Sequence, residues 1–303
     1  SLEVQRNVVI EEFKQRYLNQ PYGDVWLEFR PLAYEKHPYK WATIGKEIRH
    51  IEEATMEDVK DFFSKYYHPG NAILAIGGNF EIDEVKALVD KYYGDIPSQL
   101  KPPRLLEAEP KQTVFKSKTI HRDVPADAFY FGYKMPERRN PEYYLVDVLS
   151  DALGREKSSF LYVELKKKRN LVSDISAYIT GSLDQGLLMV SGKLNQGVSF
   201  EEFEKAYNEV IEEFQNTRIS EDEMTKMINK IRTSNEFQNQ GLLNRVMNLC
   251  QFELLGDANG INEEFKIYQQ ITSEHVQIAA QEYLKKENCS YLRVQSNKPD
   301  NNG

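Results

Sequence analysis

Residues 55–76, which read TMEDVKDFFSKYYHPGNAILAI, decide how this chain is organised. Thr55 is suited to cap a helix, because its hydroxyl can accept a hydrogen bond from a free backbone N–H group of the first turn. We predict that the helix runs to Tyr66 or Tyr67 and that residues 68–71, HPGN, break it. The apolar run 72–76 that follows predicts a short buried strand.

The same order of elements recurs 217 residues later, where residues 272–293 read TSEHVQIAAQEYLKKENCSYLR. Over the 23 aligned pairs that start at residues 55 and 272, five are identical: Thr55/Thr272, Glu57/Glu274, Val59/Val276, Tyr66/Tyr283 and Asn71/Asn288. A common unit of cap, helix, turn and strand that happens to be used twice is the simpler explanation. The matching order of the elements favours an internal repeat.

The repeat divides the chain into two domains, 1–107 and 108–303. The second begins with the predicted strand 113–120, after a proline-bearing linker over 97–110. Subtracting the offset from residue 113 puts the start of the first domain about a hundred residues before Ser1. We therefore expect the chain to be the C-terminal portion of a longer protein, with a truncated first domain and a complete second one.

The second domain carries the fuller secondary-structure pattern. Apolar clusters and turn residues predict further strands over 128–134, 174–180 and 186–193, of which the last two form a hairpin. Helices are predicted after Pro141 and at Phe160, and Gly154 is expected to end the first of them. Strands that pair as hairpins, with helices gathered in runs, indicate an α+β fold in which helices lie on a mostly antiparallel sheet.

The composition excludes two classes of partner. The chain has 303 residues, is 40% hydrophobic and carries a net charge of -8, which does not suit binding to a phosphate backbone. It also lacks the run of roughly 20 apolar residues that would cross a bilayer. We therefore expect neither a nucleic-acid partner nor a membrane span.

Several stretches resemble the pitrilysin or insulinase (M16) family of zinc metallopeptidases, and together they cover most of the chain. They are Gln5–Phe13, Gly45–Ile51, Val59–Tyr67, Pro69–Asn71, Gly77–Phe80 and Ser158–Leu165. The resemblance implies two repeated domains of the metallohydrolase fold found in that family, of which the second is inactive. It also implies an endopeptidase that hydrolyses peptides inside a two-domain chamber.

In that family, a His-x-x-Glu-His helix supplies two zinc ligands and the general base, and a glutamate from a second helix supplies the third ligand. The resemblance makes Glu12 this third ligand, with Glu11 as the near alternative. No His-x-x-Glu-His motif occurs in the sequence, so we expect no catalytic residue in this chain and place the general base upstream of it. The full-length protein is thus expected to hold Zn²⁺, and this chain alone is not.

Helical spacing puts Glu12 on one stripe with Gln5, Val8, Val9 and Arg16, so we expect it to face a packed neighbour. A buried carboxylate needs a partner. Zinc is one candidate partner, and a salt bridge to Arg6 or Arg16 is the other.

Two positions of the second domain align with the family's arginine and tyrosine that hold substrate, and here they are Lys166 and Ser173. Lysine keeps the positive charge of arginine but lacks its planar guanidinium group. Serine lacks the length and the aromatic ring of tyrosine. These departures leave open a second function, that of a non-catalytic subunit of the processing-peptidase or respiratory-complex type. The expected partners are peptides, and a second copy of the chain bound through the truncated first domain.

Overall fold

The computed structural model describes residues 2–104 and 106–297 and contains one five-stranded sheet. Its strands are β1 (Lys116–Arg122), β2 (Ala128–Lys134), β3 (Val172–Ile179), β4 (Leu187–Leu194) and β5 (Cys289–Ser296). Their order across the sheet is β1-β5-β2-β4-β3, with β1 and β5 parallel and every other neighbouring pair antiparallel. The predicted α+β fold with a mostly antiparallel sheet is confirmed.

The helices surround this sheet and extend away from it. They are α1 (Leu2–Phe13), α2 (Val25–Ala33), α3 (Ile48–Glu53), α4 (Met56–Tyr66), α5 (Ile82–Tyr93), α6 (Glu142–Ser150), α7 (Phe200–Asn216), α8 (Glu221–Gln238), α9 (Leu242–Leu255), α10 (Gly260–Gln269) and α11 (Ser273–Tyr283). Three further segments are π-helical: Lys14–Leu18, Asp151–Arg155 and Tyr162–Lys168. In the described part of the chain, no helix combines the length and the apolar character that a bilayer crossing requires.

One face of the sheet packs against α6, α7 and α11 and forms the larger core. Aromatic rings at its centre are stacked, since Phe131 lies 4.2 Å from the Tyr207 ring and 4.1 Å from the Tyr291 ring. The α6 helix does not end at Gly154 as the sequence predicted, because it continues through the π-helical turn to Arg155. Gly154 lies against Ala177, where a Cβ would be only 2.5 Å from the Ala177 backbone nitrogen, so the glycine serves close packing.

The opposite face of the sheet is covered by α2, which precedes the predicted boundary at residue 107. Val25, Phe29 and Ala33 are buried there in a second core that includes Met189 and Leu292. A Cβ at Gly132 would lie 2.5 Å from the Phe29 ring, so only glycine leaves room for this helix. Residues 25–33 therefore share a core with the sheet of the second predicted domain.

The structure gives the two copies of the repeat the same local form. The α4 and α11 helices have equal lengths, and each begins with a capping box, made by Thr55 with Asp58 in one and by Thr272 with His275 in the other. The Asn71 side-chain amide donates to the Tyr66 carbonyl at 2.9 Å, and the Asn288 amide donates to the Tyr283 carbonyl at 2.9 Å. The identical asparagines thus make identical bonds at the ends of corresponding helices.

The strand predicted over residues 72–76 is wrong, because the structure has irregular backbone there. Its side chains are exposed, with relative exposures of 42% for Ile73, 60% for Leu74 and 47% for Ile76. In the second copy, the corresponding segment is β5, which has β1 on one side and β2 on the other. No strand of the described residues lies beside 72–76, so this segment lacks the ladder that defines a strand.

The first copy exposes many large apolar side chains, which we call the open face. The α4 and α5 helices have no buried residue. The open face comprises Val59, Phe62, Phe63, Tyr67, Leu74, Ile76, Ile82 and Leu88. An apolar surface of this kind is typical of an interaction site.

Candidate functional site

Glu12 lies at the end of α1, directly before the π-helical turn Lys14–Leu18. Its carboxylate is 2.8 Å from the Arg16 guanidinium, and its side chain is 43% exposed. The neighbouring Glu11 pairs with Lys14 at 2.7 Å. Of the two partners considered for Glu12, the structure contains the salt bridge to Arg16.

The packed face of α1 is not the one that the sequence indicated. Ile10 and Phe13 are the buried residues of this helix, and the Arg6 guanidinium donates to the carbonyls of Ile51 at 3.2 Å and Ala54 at 2.6 Å. Val8, on the stripe of Glu12, is 54% exposed. The expectation that Glu12 faces a packed neighbour is therefore wrong for the described residues, because Ile10 and Phe13, four and seven residues after Arg6, lie on the inner side of the helix instead.

The carboxylates of α1 do not make a zinc site by themselves. A catalytic zinc ion needs three protein ligands. Within residues 2–104 and 106–297, no three side chains of His, Cys, Asp or Glu are grouped closely enough to hold a metal ion. The described residues therefore do not fit zinc, and Glu12 offers one ligand at most.

The second copy has no acidic ligand at the corresponding place. The repeat offset of 217 pairs Glu12 with Asn229 on α8. On the same helix, the ammonium groups of Lys226 and Lys230 lie 3.2 Å and 2.6 Å from the two oxygens of Glu156. Asn229 thus lies between two lysines that are paired with Glu156, and its amide supplies no negative charge for a metal ion.

The structure brings the two candidate substrate-binding residues together. The Lys166 ammonium donates a hydrogen bond to the backbone carbonyl of Ser173, while the Ser173 side chain is exposed. Two further basic residues of this helix end form ion pairs, since Lys168 pairs with Glu164 at 2.6 Å and Arg169 with Glu209 at 2.7 Å. Lys166 thus holds the helix end to β3.

Sequence reasoning missed a buried ion pair that joins the linker to the sheet. The Lys134 ammonium lies 3.1 Å from Glu109 and 3.7 Å from the centre of the Tyr34 ring, and the Lys134 and Glu109 side chains are 5% and 3% exposed. Glu109 also accepts hydrogen bonds from the backbone N–H groups of Glu35, Lys36 and His37 at 2.8, 3.0 and 2.9 Å. No local pattern joins residues 109 and 134, so this pair could not be predicted from the sequence.

The electrostatics of this pair follow from its burial. Burial lowers the pKa of the Lys134 ammonium to about 8, although the charge of Glu109 raises it. Burial raises the pKa of the Glu109 carboxyl, but the three backbone donors and Lys134 outweigh it and bring the value to about 2. Both groups are charged at pH 7, and each stabilises the ionised form of the other.

A second junction lies beside the first. His37 is buried, its Nε2 is 3.0 Å from Asp184, and its Nδ1 accepts from the backbone N–H of Tyr39 at 3.1 Å. In the neutral ring, the proton therefore lies on Nε2 and is donated to Asp184. Arg104 of the linker donates to the same carboxylate at 2.9 Å. The two junctions hold residues 34–39 and the linker against the hairpin β3–β4 and the end of β2.

Residues 53–231 match the peptidase M16 inactive domain, and they make up more than half of the chain. The chain therefore belongs to the M16 peptidase family, and the resemblance read from the sequence is confirmed.

Relatives and solved structures agree with this assignment. The zinc protease PqqE of Helicobacter pylori is 30% identical over 226 residues, which are 74% of this chain and 51% of the relative. The crystal structure of a Helicobacter pylori protease superposes with a TM-score of 0.88 at 25% identity, covering 97% of this chain and 71% of that one. A peptidase M16 inactive domain from Pseudomonas fluorescens superposes with a TM-score of 0.84 at 18% identity, covering 98% and 72%, which shows the fold. The chain thus spans about half the length of the curated relative.

Proposed function

We propose that this chain is the C-terminal portion of a zinc-dependent M16 metalloendopeptidase. In this proposal residues 1–107 are the end of the zinc-bearing domain, and residues 108–303 form the inactive domain that closes the peptide chamber. Membership of the M16 family and the resemblance to a relative named as a zinc protease support it. The main observation in support of this proposal is that Glu12 lies on an exposed stripe of α1, beside the half-exposed Val8.

The packing of α1 suits the presentation of one ligand. Ile10 and Phe13 fix the inner side of the helix, and Arg6 is held by two carbonyl groups, so the outer side is rigidly oriented. The ion pair of Glu12 with Arg16 is exposed, and pairs of that kind contribute only about 0.2–1 kcal/mol. Breaking this ion pair so that Glu12 can bind a metal ion therefore costs little free energy.

A non-catalytic subunit is the second candidate function. It is favoured by the bond between the Lys166 ammonium and the Ser173 carbonyl, which occupies a cation that a substrate-holding role requires to be free. In this candidate the chain assists or structures a partner, and Glu12 keeps its ion pair with Arg16.

The two candidates are separated by variants of the full-length protein. Glu12→Gln removes the proposed ligand, and Glu11→Gln on the same helix is its matched control. Loss of a residue that only supports a ligand costs 10–100-fold, so loss of the ligand itself should lower peptide hydrolysis more than about 100-fold and reduce bound zinc. The control should keep both.

The measurements are hydrolysis of a quenched peptide library and zinc content of the same samples. Loss of zinc in Glu11→Gln and not in Glu12→Gln would transfer the ligand role to Glu11. If the full-length protein binds no zinc and hydrolyses no peptide, the peptidase proposal fails and the non-catalytic subunit is supported.

A further inference from the structure

A polar cavity of about 340 Å³ lies between the loop that precedes α6 and the helices α8, α9 and α10. Its walls combine charged groups, carboxamides and aromatic rings, among them Arg138, Arg232, Asn235, Glu236, Phe252 and Phe265. Small-molecule sites of proteins have volumes of about 300–1,000 Å³, so the cavity has room for a small ligand. None of its residues belongs to α1 or to the linker junctions, so the site is independent of Glu12.

One wall of the cavity has a guanidinium nitrogen without a partner. Arg138 is held by its ion pair with Glu264, and its guanidinium lies 4.5 Å and 4.8 Å from the centres of the Tyr143 and Tyr144 rings. Its side chain is 11% exposed, and its Nη1 atom is buried and has no hydrogen-bond partner among the described residues. Buried polar groups of native proteins are nearly always hydrogen-bonded. Because Arg138 lines the cavity, an acceptor oxygen inside the cavity would complete its hydrogen bonding.

Arg232 and Glu236 add one unpaired charge of each sign. They lie one turn apart on α8, a spacing at which opposite charges often pair. Here the Arg232 guanidinium lies over the Phe265 ring instead, 5.4 Å from its centre. In the described part of the chain, neither Arg232 nor Glu236 has an ion pair within 4 Å. Since Arg138 and Glu264 neutralise each other, the four charges of the lining sum to zero.

These charges favour a neutral ligand that carries one charge of each sign. Arg138 and Arg232 both suit a carboxylate, and Glu236 suits an ammonium group. A sugar would satisfy the Nη1 group of Arg138 but would leave Arg232 and Glu236 without counterions. An α-amino acid has both of its charges on one carbon atom, which matches side chains on neighbouring helical turns, whose Cβ atoms are about 5–6 Å apart.

We propose that this cavity binds a free α-amino acid with an apolar side chain, in its zwitterionic form. The α-carboxylate accepts hydrogen bonds from Arg138 Nη1 and from Arg232, and the α-ammonium donates to Glu236. The side chain packs against Phe252 and Ile261 on the apolar part of the wall.

Isothermal titration calorimetry of the chain tests the site. The probes are L-leucine, L-leucinamide, which lacks the carboxylate, N-acetyl-L-leucine, which lacks the ammonium group, and glucose. L-leucine should bind saturably at one site. Leucinamide should bind about tenfold more weakly, because it loses the bond to a buried guanidinium. N-acetyl-L-leucine should bind about threefold more weakly, because Glu236 is exposed.

Variants of the two exposed charges separate the two ends of the ligand, and they leave the packing of Arg138 intact. Arg232→Gln should weaken binding of L-leucine about threefold and leave leucinamide unchanged. Glu236→Gln should weaken binding of L-leucine about threefold and leave N-acetyl-L-leucine unchanged. Arg245→Gln, on α9 but outside the lining, is the matched control and should change none of these affinities.

Three results would overturn the proposal. The first is that L-leucine does not bind saturably, as expected of a cavity that holds only water. The second is that glucose or either leucine derivative binds as tightly as L-leucine. The third is that Arg232→Gln or Glu236→Gln behaves like Arg245→Gln.

Discussion

Lys134 and Glu109 join the linker to the sheet, and the two residues differ in the number of other partners that each has. Glu109 keeps three backbone donors if the lysine is removed, whereas Lys134 has Glu109 as its only carboxylate within 4 Å among the described residues. A buried charge that loses its counterion is strongly destabilising. The two halves of the pair therefore differ in what their removal costs.

Glu109→Gln should lower the free energy of unfolding at pH 6 by about 3 kcal/mol, and Lys134→Met by less than half of that. In Glu109→Gln the pKa of Lys134 falls further, since the carboxylate that raises it is gone. The folded state then binds fewer protons than the unfolded state between neutral pH and about 10, so the stability of this variant should rise with pH. Urea unfolding at pH 6 and pH 9 measures both effects, and a larger loss in Lys134→Met would contradict the argument.

The wild-type pair also predicts a response to acid. Glu109 has a pKa of about 2 in the folded state against 4.5 for a free carboxyl, so its contribution is complete above pH 4.5 and is lost as the pH falls towards 2. The stability difference between wild type and Glu109→Gln should therefore shrink over this interval. Unfolding curves at pH 5, 4 and 3 check it, and a constant difference would exclude Glu109 as its origin.

At the scale of elements, α4 and α11 are copies of one capped helix in different surroundings. The α11 helix buries Val276, Ala279 and Ala280, whereas α4 buries no residue. Helical stability in proteins comes mainly from such packing. The same cap therefore contributes to global stability in one copy and to local order in the other.

Thr272→Ala should lower the free energy of unfolding by about 1 kcal/mol, because the hydroxyl caps a helix that is part of the core. Thr55→Ala removes the same hydrogen bond and should leave the global transition unchanged while speeding amide exchange at residues 56–59. Urea unfolding and hydrogen exchange of the two variants make the comparison. Equal losses of global stability would mean that α4 is packed as firmly as α11.

The sequence predicted those elements whose cause is local. Residues 128–134 and 187–194 are strands because apolar residues cluster there and the chain turns between β3 and β4. Residues 72–76 are also apolar and are not a strand, because a strand also needs neighbours that hydrogen-bond to it. For the same reason the orientation of Glu12 was mispredicted, since helical spacing gives the stripes of α1 but not which stripe meets α3. The junction of Glu109 with Lys134 needed the tertiary fold.

At the scale of the whole molecule, the open face leaves large apolar side chains in contact with water. Phe62, Phe63 and Leu74 are 58–60% exposed, and such a surface favours association in water. We therefore expect this chain to associate with itself in solution through its first domain.

Sedimentation velocity of the chain should show association that increases with concentration. Phe63→Lys should weaken it by introducing a charge into the open face, and Ile278→Lys, at an exposed isoleucine of α11, is the matched control. If both variants weakened association equally, the contact between the copies would not lie on the open face. A monomer at all concentrations would contradict the expectation.

The chain by itself should also bind well under one equivalent of zinc and cleave no peptide, since one carboxylate cannot replace three ligands. Metal analysis after purification and an assay with quenched peptides measure this. Cleavage that a chelator abolishes would show that residues other than Glu12 complete a site.

The packing of Phe29 against Gly132 limits where such a chain can be divided during evolution or expression. One face of the sheet formed by β1–β5 is covered by α2, which precedes the linker in the sequence. A recombination event or an expression boundary inside the linker would separate the sheet from its own lining and leave Met189 and Leu292 in water. The heritable module is therefore larger than the repeat, and it includes α2 together with the sheet that α2 covers.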